Sequence, residues 1–170
     1  MDVLTLALLS ILPALVIVAG LMDLTTMRIP NWISGALIVA FFPVALIVGL
    51  PLGTVGLHAL IAVAALLLGM ALFALRIIGG GDAKLMAAAC LWLGLVGSGM
   101  FLLWTGVVGG FFCLGILAAR AYLAPYLRGA PPWVATLMSP RGDIPYGVAI
   151  CAGALMAFPS SAMLAVAAAV

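Results

Sequence analysis

The sequence predicts an all-α, polytopic integral membrane protein with about six transmembrane helices. Of its 170 residues, 68% are hydrophobic and only 6% are charged, with four Asp and no Glu. A soluble domain carries about 25% charged residues, so this chain cannot cover a water-facing surface. Because an apolar span needs about 20 residues, the length admits about six spans and no separate soluble domain. We expect a single membrane-embedded domain over residues 1–170, which excludes cytosolic enzymes, disordered chains and nucleic-acid-binding proteins.

The polar residues divide the chain into apolar segments that are long enough to cross a membrane. Asp2 occupies a position where a signal peptide carries basic residues, so we expect the first apolar run to remain as a span. The uncharged stretch 85–119 is too long for one span, and Gly97-Ser98-Gly99 is the predicted turn inside it. The predicted spans are residues 3–22, 32–50 and 57–75, a short fourth and a fifth within 85–119, and 146–170.

The basic residues predict how these spans are oriented. With six spans, successive polar breaks alternate between the two sides of the membrane, and all six basic residues fall in the first, third and fifth breaks. Cytoplasmic loops are enriched in Lys and Arg, so these breaks are predicted to face the cytoplasm and both termini the outside. We expect a multi-pass protein of the inner (plasma) membrane. The basic residues are Arg28, Arg76, Lys84, Arg120, Arg128 and Arg141.

Two of the four acidic residues stand at span ends on the predicted cytoplasmic side. Asp23 ends the first span and Asp82 begins the fourth, while Asp2 is terminal and Asp143 lies in the last cytoplasmic loop. Placing a charged side chain at or inside the membrane boundary costs free energy, so an acid found there usually has a functional or structural role. Asp23 and Asp82 are therefore the candidate functional carboxyl groups.

Two carboxyl groups brought close together can hydrolyse a peptide bond. They share one proton, so that the ionised group activates water while the protonated group polarises the peptide carbonyl. This chemistry needs no metal or cofactor, and none is predicted. Since a helix N-terminus favours an anion and a C-terminus disfavours it, we predict that Asp82 is the base and Asp23 the acid.

Other interpretations of the same two residues stay open from spacing alone. Asp82 follows three glycines and suits a helix N-cap, and Asp23 can simply mark the lipid boundary. A small transporter or assembly scaffold with charges on an ion path is the alternative from another functional class. It requires the acids to lie on opposite sides or to line a path across the midplane.

Nucleophilic and metal sites have weaker support in the sequence. A Ser–His hydrolase built on Ser98 and His58 lacks the GxSxG and SxxK patterns. Cys90, Cys113 and Cys151 lie far apart and form no CxxC pair, which excludes zinc and redox sites of that kind. A carboxyl pair is therefore the best catalytic candidate.

Three motifs resemble those of the type IV prepilin peptidases, a family of membrane aspartic proteases. Residues 79–85 (GGGDAKL) are similar to the family's GxGD-x-K-L motif. Asp23 with residues 28–31 (RIPN) is similar to the Asp and Ile-Pro-Asn turn after the family's first span, and residues 144–150 (IPYGVAI) to the opening of its last span. The resemblance covers essentially the whole chain. It implies that Asp23 and Asp82 are the catalytic pair and cleave prepilin leader peptides at the cytoplasmic face.

The resemblance also implies a subtype and partners. Longer family members carry an N-terminal cytoplasmic insertion with CxxC pairs and N-methylate the new pilin end, whereas here the first cytoplasmic loop, 23–31, has nine residues. Methyltransferase activity is therefore not expected, and the compact form is similar to the peptidases of Flp-type (tight-adherence) pilus systems. The implied partners are the lipid bilayer and a prepilin, with its leader peptide and hydrophobic helix. Nucleic acid is not expected.

Five residues near the predicted pair are expected to support it. Pro30 favours a helix start, and with Asn31 it should turn the second span back beside the first carboxyl group. Gly79 and Gly81 lack side chains and should let an extended substrate backbone approach Asp82, although a flexible turn would explain them equally well. Lys84 is expected to reach a lipid phosphate or to balance the local charge.

Overall fold

The computed structural model describes residues 2–123, 129, 131–140 and 142–169. Among these residues every regular element is helical and there is no strand, which confirms the predicted all-α fold. Arg128 and Arg141, two of the residues used to predict the orientation, lie outside the described residues.

The described residues form nine α-helices. α1 is Val3–Leu9, α2 is Ile11–Thr26, α3 is Asn31–Ile47 and α4 is Leu52–Ala74. The next helical run is Gly80–Leu123, whose two parts we call α5 (80–93) and α6 (95–123). α7 is Pro132–Leu137, α8 is Tyr146–Ala157 and α9 is Ala162–Ala169, with a 3-10 turn at Phe158–Ser160 between the last two.

The helices are those of a polytopic membrane protein, as predicted. Four stretches are long and apolar enough to cross a membrane: Val3–Thr26, Leu52–Ala74, Gly80–Tyr122 and Tyr146–Ala168. The helix Asn31–Ile47 is also apolar but shorter, with 17 residues. The stretch of 43 residues that starts at Gly80 is too long for a single crossing.

This long stretch is broken at Gly94, where the chain turns back on itself. Gly94 has φ 69° and ψ −169°, a conformation that only glycine adopts readily. The Ser98 hydroxyl donates to the Cys90 carbonyl at 3.3 Å, although an unbroken helix would separate these residues by about 12 Å. α5 and α6 are therefore two helices packed side by side, and the six predicted spans correspond to six apolar helical segments. The predicted turn at 97–99 is wrong in position, because those residues are helical and the break comes earlier.

α5 lies at the centre of the bundle. All of its residues from 85 to 93 are buried, as expected for a helix that is apolar on every side. The Trp92 indole N–H donates to the Leu37 carbonyl of α3 at 2.8 Å, and His58 Nδ1–H of α4 donates to the Leu91 carbonyl at 2.7 Å. The second bond satisfies a carbonyl that the break at the end of α5 leaves without a helical partner.

Several helix boundaries differ from the predicted spans. α2 continues to Thr26, so Asp23 lies inside its last turn rather than after it. Met27 ends this helix in a left-handed conformation and donates its N–H to the Asp23 carbonyl. α4 and α5 both begin earlier than predicted, and α7 lies in a stretch predicted to be a polar loop. The last span is divided by Pro159 in the 3-10 turn, because proline lacks the N–H that would continue a helix.

The described basic residues share one end of the bundle. α2, α4 and α6 end here, and α5 and α8 begin here. Arg28 follows α2, Arg76 follows α4, Lys84 lies in the first turns of α5, and Arg120 lies in the last turn of α6. The predicted clustering is confirmed for these four residues. We call this the charged end.

The break at Gly94 yields a prediction about stability. A Cβ at this position would lie 2.6 Å from His58 Nε2, and the positive φ strains any other residue. We expect Gly94→Ala to lower the free energy of unfolding by about 2–5 kcal/mol. Unfolding of the purified protein in detergent, followed by circular dichroism, measures this.

Gly99→Ala is the matched control, because Gly99 is helical and a Cβ there meets no described atom within 4 Å. It should leave stability unchanged or raise it slightly. Equal stability of the two variants would contradict the role of Gly94.

Candidate active site

Asp23 and Asp82 line one open cleft at the charged end. The cleft has a volume of about 630 Å³. Both side chains are largely buried, with 7% of Asp23 and 8% of Asp82 exposed. The two acids that lie far apart in the sequence therefore share one cleft. The cleft is lined by Asp23, Met27, Phe73, Ala74, Arg76, Ile77, Ile78, Gly79, Asp82, Asp143, Ile144, Pro145 and Tyr146.

Asp82 lies in the first turn of α5 and caps that helix. Its Oδ2 accepts a hydrogen bond from the Gly79 N–H at 2.9 Å. An acid in the first turn that bonds back to the residue before the helix is one half of a capping box. Only Oδ2 is used in this way, and Oδ1 accepts no hydrogen bond from the described residues. Asp82 therefore caps α5 from its third residue, whereas the sequence suggested the N-cap position before the helix.

Asp23 caps a different helix from the one that carries it. It lies in the last turn of α2, and its Oδ2 accepts a hydrogen bond from the Gly147 N–H at 2.7 Å. Gly147 lies in the first turn of α8, so the bond joins the first span to the last. Asp23 thus stands beside a helix N-terminus as well as a C-terminus. The assignment of Asp23 as the acid considered the C-terminus alone, and it stays a prediction.

Gly147 allows this contact because it has no side chain. A Cβ at this position would lie 2.8 Å from Asp23 Cβ and 2.9 Å from Asp23 Oδ2. Real Cβ atoms do not approach other atoms so closely, so any larger residue must push the two helices apart. Gly147 is therefore a part of the site that the list of supporting residues missed. Its place in the IPYG motif was the available signal, but a motif does not identify a hydrogen-bond partner.

Ile29 separates the two helix N-termini that hold the carboxyl groups. A Cβ at Gly81 would lie 3.1 Å from Ile29 Cβ, and a Cβ at Gly147 would lie 3.0 Å from Ile29 Cδ1. The turn after α2 is thus packed between the start of α5 and the start of α8. Gly81 serves this packing, whereas the sequence suggested that it admits substrate. Gly79, in contrast, is exposed and lines the cleft, as the prediction requires.

Two predicted supporting residues, Asn31 and Lys84, join α3 to α5, and a third, Pro30, stands before α3. Pro30 is the residue before α3, with φ −65° and ψ 138°. Lys84 Nζ donates to Asn31 Oδ1 at 2.9 Å, which links the first turns of the two helices. The expected roles of Lys84, a contact with a lipid phosphate or a balance of the local charge, stay predictions beside this bond.

The residues of the competing sites lie elsewhere. His58 and Ser98 bond to the carbonyls of Leu91 and Cys90 at the opposite end of α5 from Asp82, so both stabilise the chain reversal. Within the described residues, no group of three or more His, Cys, Asp or Glu is arranged to hold a metal ion. The transporter alternative required separated acids, whereas Asp23 and Asp82 share one cleft.

Asp143 is a third acid in this cleft, but its surroundings differ. Its side chain is exposed at the rim, and only its backbone carbonyl takes part in a hydrogen bond among the described residues. The buried pair therefore consists of Asp23 and Asp82.

Comparison with known protein families gives one match. The model of the type IV leader peptidase family matches residues 10–114, which include both Asp23 and Asp82. Searches of curated proteins and of solved structures give no significant match. Because the family match spans more than half of the sequence, the chain belongs to the type IV leader peptidase family.

Proposed function

We propose that this peptidase removes the leader peptide from type IV prepilins of the Flp type, with Asp23 and Asp82 as its catalytic pair. The family membership supports leader-peptide hydrolysis. The observation that carries the assignment of residues is that two buried carboxyl groups, from separate helices, line one open cleft. Aspartic-protease chemistry requires this arrangement and nothing further from a cofactor.

The hydrogen bonds suggest how the pair works. One oxygen of each carboxyl group accepts a backbone N–H, from Gly79 or Gly147, which fixes its orientation. The ionised group takes a proton from water as the water oxygen bonds to the peptide carbon. The protonated group donates a hydrogen bond to the carbonyl oxygen and keeps its proton, so the pair now holds two protons. When the C–N bond breaks, the amine leaves with a proton from the carboxyl pair, and the pair again shares one proton.

The charge distribution supports a cytoplasmic active site. The four described basic residues lie at the end of the bundle that contains the cleft. By the positive-inside rule, the charged end of a protein in the inner membrane faces the cytoplasm. The leader peptide, which precedes the apolar helix of the prepilin, would then be cut on the cytoplasmic side.

An apolar groove beside the cleft supports a substrate with a hydrophobic helix. The groove has a volume of about 590 Å³ and shares Ile78 and Tyr146 with the cleft. Gly106 and Gly110 of α6 line it, and a Cβ on either would meet no described atom within 4 Å. Glycine in a helix interior is unfavourable, and small residues in membrane helices let another helix approach closely. We assign this groove to the apolar helix that follows the scissile bond.

The short connection between α2 and α3 supports a peptidase without methyltransferase activity. Only residues 27–30 separate the two helices. This connection is too short to contain the inserted domain that the longer family members carry. The Flp-type substrate itself is inferred from the resemblance to the compact peptidases.

The first prediction of this proposal concerns the two acids. Asp23→Asn and Asp82→Asn should each reduce leader removal by about 10²–10⁴-fold, because an amide neither accepts nor supplies the shared proton. The assay is co-expression with an Flp-type prepilin, followed by the leader-sized mobility shift.

Two further acids serve as comparisons in this assay. Asp2→Asn is the matched control, because Asp2 caps α1 through Thr5 N–H at 2.8 Å and asparagine caps equally well. Asp143→Asn should retain most of the cleavage. Normal processing by either pair variant would refute the proposal.

The second prediction concerns Gly147. Gly147→Ala should move Asp23 away from its N–H donor and lower kcat by about 10–100-fold, since small misplacements of catalytic groups have effects of this size. The rate is measured on purified protein at equal folded amounts. Gly35→Ala is the control, because a Cβ at Gly35 meets no described atom within 4 Å. Equal rates for the two variants would show that the contact has no role in catalysis.

The third prediction concerns the groove. Gly110→Leu should raise KM for a full-length prepilin and leave the cleavage of a short leader peptide unchanged, because only the former carries the apolar helix. Gly115→Leu places the same side chain on another part of α6, where a Cβ also meets no described atom within 4 Å. It should change neither value. An unchanged KM in Gly110→Leu would exclude this groove as the binding surface.

A further inference from the structure

Arg120 makes three hydrogen bonds to a single backbone segment. Its Nε donates to the Leu137 carbonyl at 2.8 Å, its Nη1 to the Gly142 carbonyl at 2.9 Å and its Nη2 to the Asp143 carbonyl at 2.8 Å. These bonds join the last turn of α6 to the end of α7 and to the residues just before α8. The acceptors are all backbone carbonyls, so Arg120 binds the backbone of this segment and not an acidic side chain.

The segment held by Arg120 leads directly into the active site. Asp143, Ile144, Pro145 and Tyr146 line the cleft. The next residue, Gly147, donates its N–H to Asp23. Pro145 and Gly147 are buried, so the chain has little freedom between the Arg120 contacts and this N–H.

We propose that Arg120 is a positioning residue for catalysis. It holds the backbone at Leu137, Gly142 and Asp143 against α6, and it thereby sets the start of α8, the wall of the cleft and the donor to Asp23. The inference rests on the proposed peptidase function, because it assigns Arg120 a part in that reaction.

The chemistry of the side chain explains why an arginine is needed. A guanidinium group presents five N–H donors in a rigid plane, so that one side chain can reach three carbonyls in fixed directions. A lysine ammonium carries the same charge on a flexible stem and lacks this geometry. The helix C-terminus and the positive-inside rule favour any cation at this position, and neither distinguishes Arg from Lys.

Arg120→Lys therefore separates positioning from charge. We expect this variant to accumulate in the membrane like the wild type, and its kcat/KM for prepilin cleavage to fall about tenfold or more. Wild-type activity in Arg120→Lys would overturn the proposal, because charge alone would then suffice. Arg120→Ala should lose activity further and regain part of it when ethylguanidinium is added. Gly147→Ala should show no such recovery, since its guanidinium contacts are intact.

A second measurement tests the positioning without reference to activity. Ile144→Cys, in a background without Cys90, Cys113 and Cys151, reports the accessibility of the cleft wall through its rate of maleimide labelling. Ile144 is half-buried in the structure. Labelling should become severalfold faster when Arg120→Lys or Arg120→Ala is added.

The two measurements keep this inference distinct from the proposed function. If the wild-type protein cleaved no prepilin and the Arg120 variants were still labelled faster, the positioning of the segment would be supported and the peptidase assignment refuted. Unchanged labelling in both Arg120 variants would overturn the positioning itself, whatever the wild-type activity.

Discussion

The hydrogen bond from the Gly147 N–H to Asp23 is the interaction on which the rest of the site depends. It links residues 124 positions apart and joins the first span to the last. A carboxyl group buried among apolar helices needs such a donor, because burying it without one is costly. The donor is available only because α2 and α8 approach closely along their length. The two helices are equally close about one turn further along, because a Cβ at Gly20 of α2 would lie 2.9 Å from Cys151 Cβ of α8.

The depth of Asp82 follows from the shortness of α5. This helix has about 14 residues and spans about 20 Å, less than the ~30 Å of a hydrocarbon core. Leu91, near its end, is level with His58, about 9 Å inside the start of α4, and Ala83, next to Asp82, is level with Gly69, about 8 Å inside the end of α4. Asp82 therefore lies inside the end of α4, where it is largely buried and lines the cleft. The reversal at Gly94 is what permits so short a central helix.

The sequence allowed some of these features to be predicted and concealed others for physical reasons. The low number of charges marked the span ends, so the meeting of Asp23 and Asp82 at one end followed from counting the spans. The position of the break between α5 and α6 could not be predicted in this way. Residues 94–99 contain four glycines or serines, and only tertiary contacts select Gly94 among them. Arg120 was predicted as a basic residue near the membrane boundary, yet its partners are carbonyls, which leave no trace in sequence patterns. The Gly147 contact was equally hidden, because a hydrogen bond between distant segments has no local signature.

Capping and catalysis, which the sequence posed as alternatives for these acids, are compatible in the structure. Each carboxyl group gives one oxygen to the N-terminus of a helix, Asp82 to α5 and Asp23 to α8. The N–H groups and dipoles of two helices can then offset part of the cost of ionising a group at this depth. Because each cap uses a single oxygen, the other remains for water or a peptide carbonyl. The same two bonds also fix the helices that form the cleft. A protein with so few charges can therefore hold two acids together near membrane depth, since the helix ends that stabilise them are the ones that build the site.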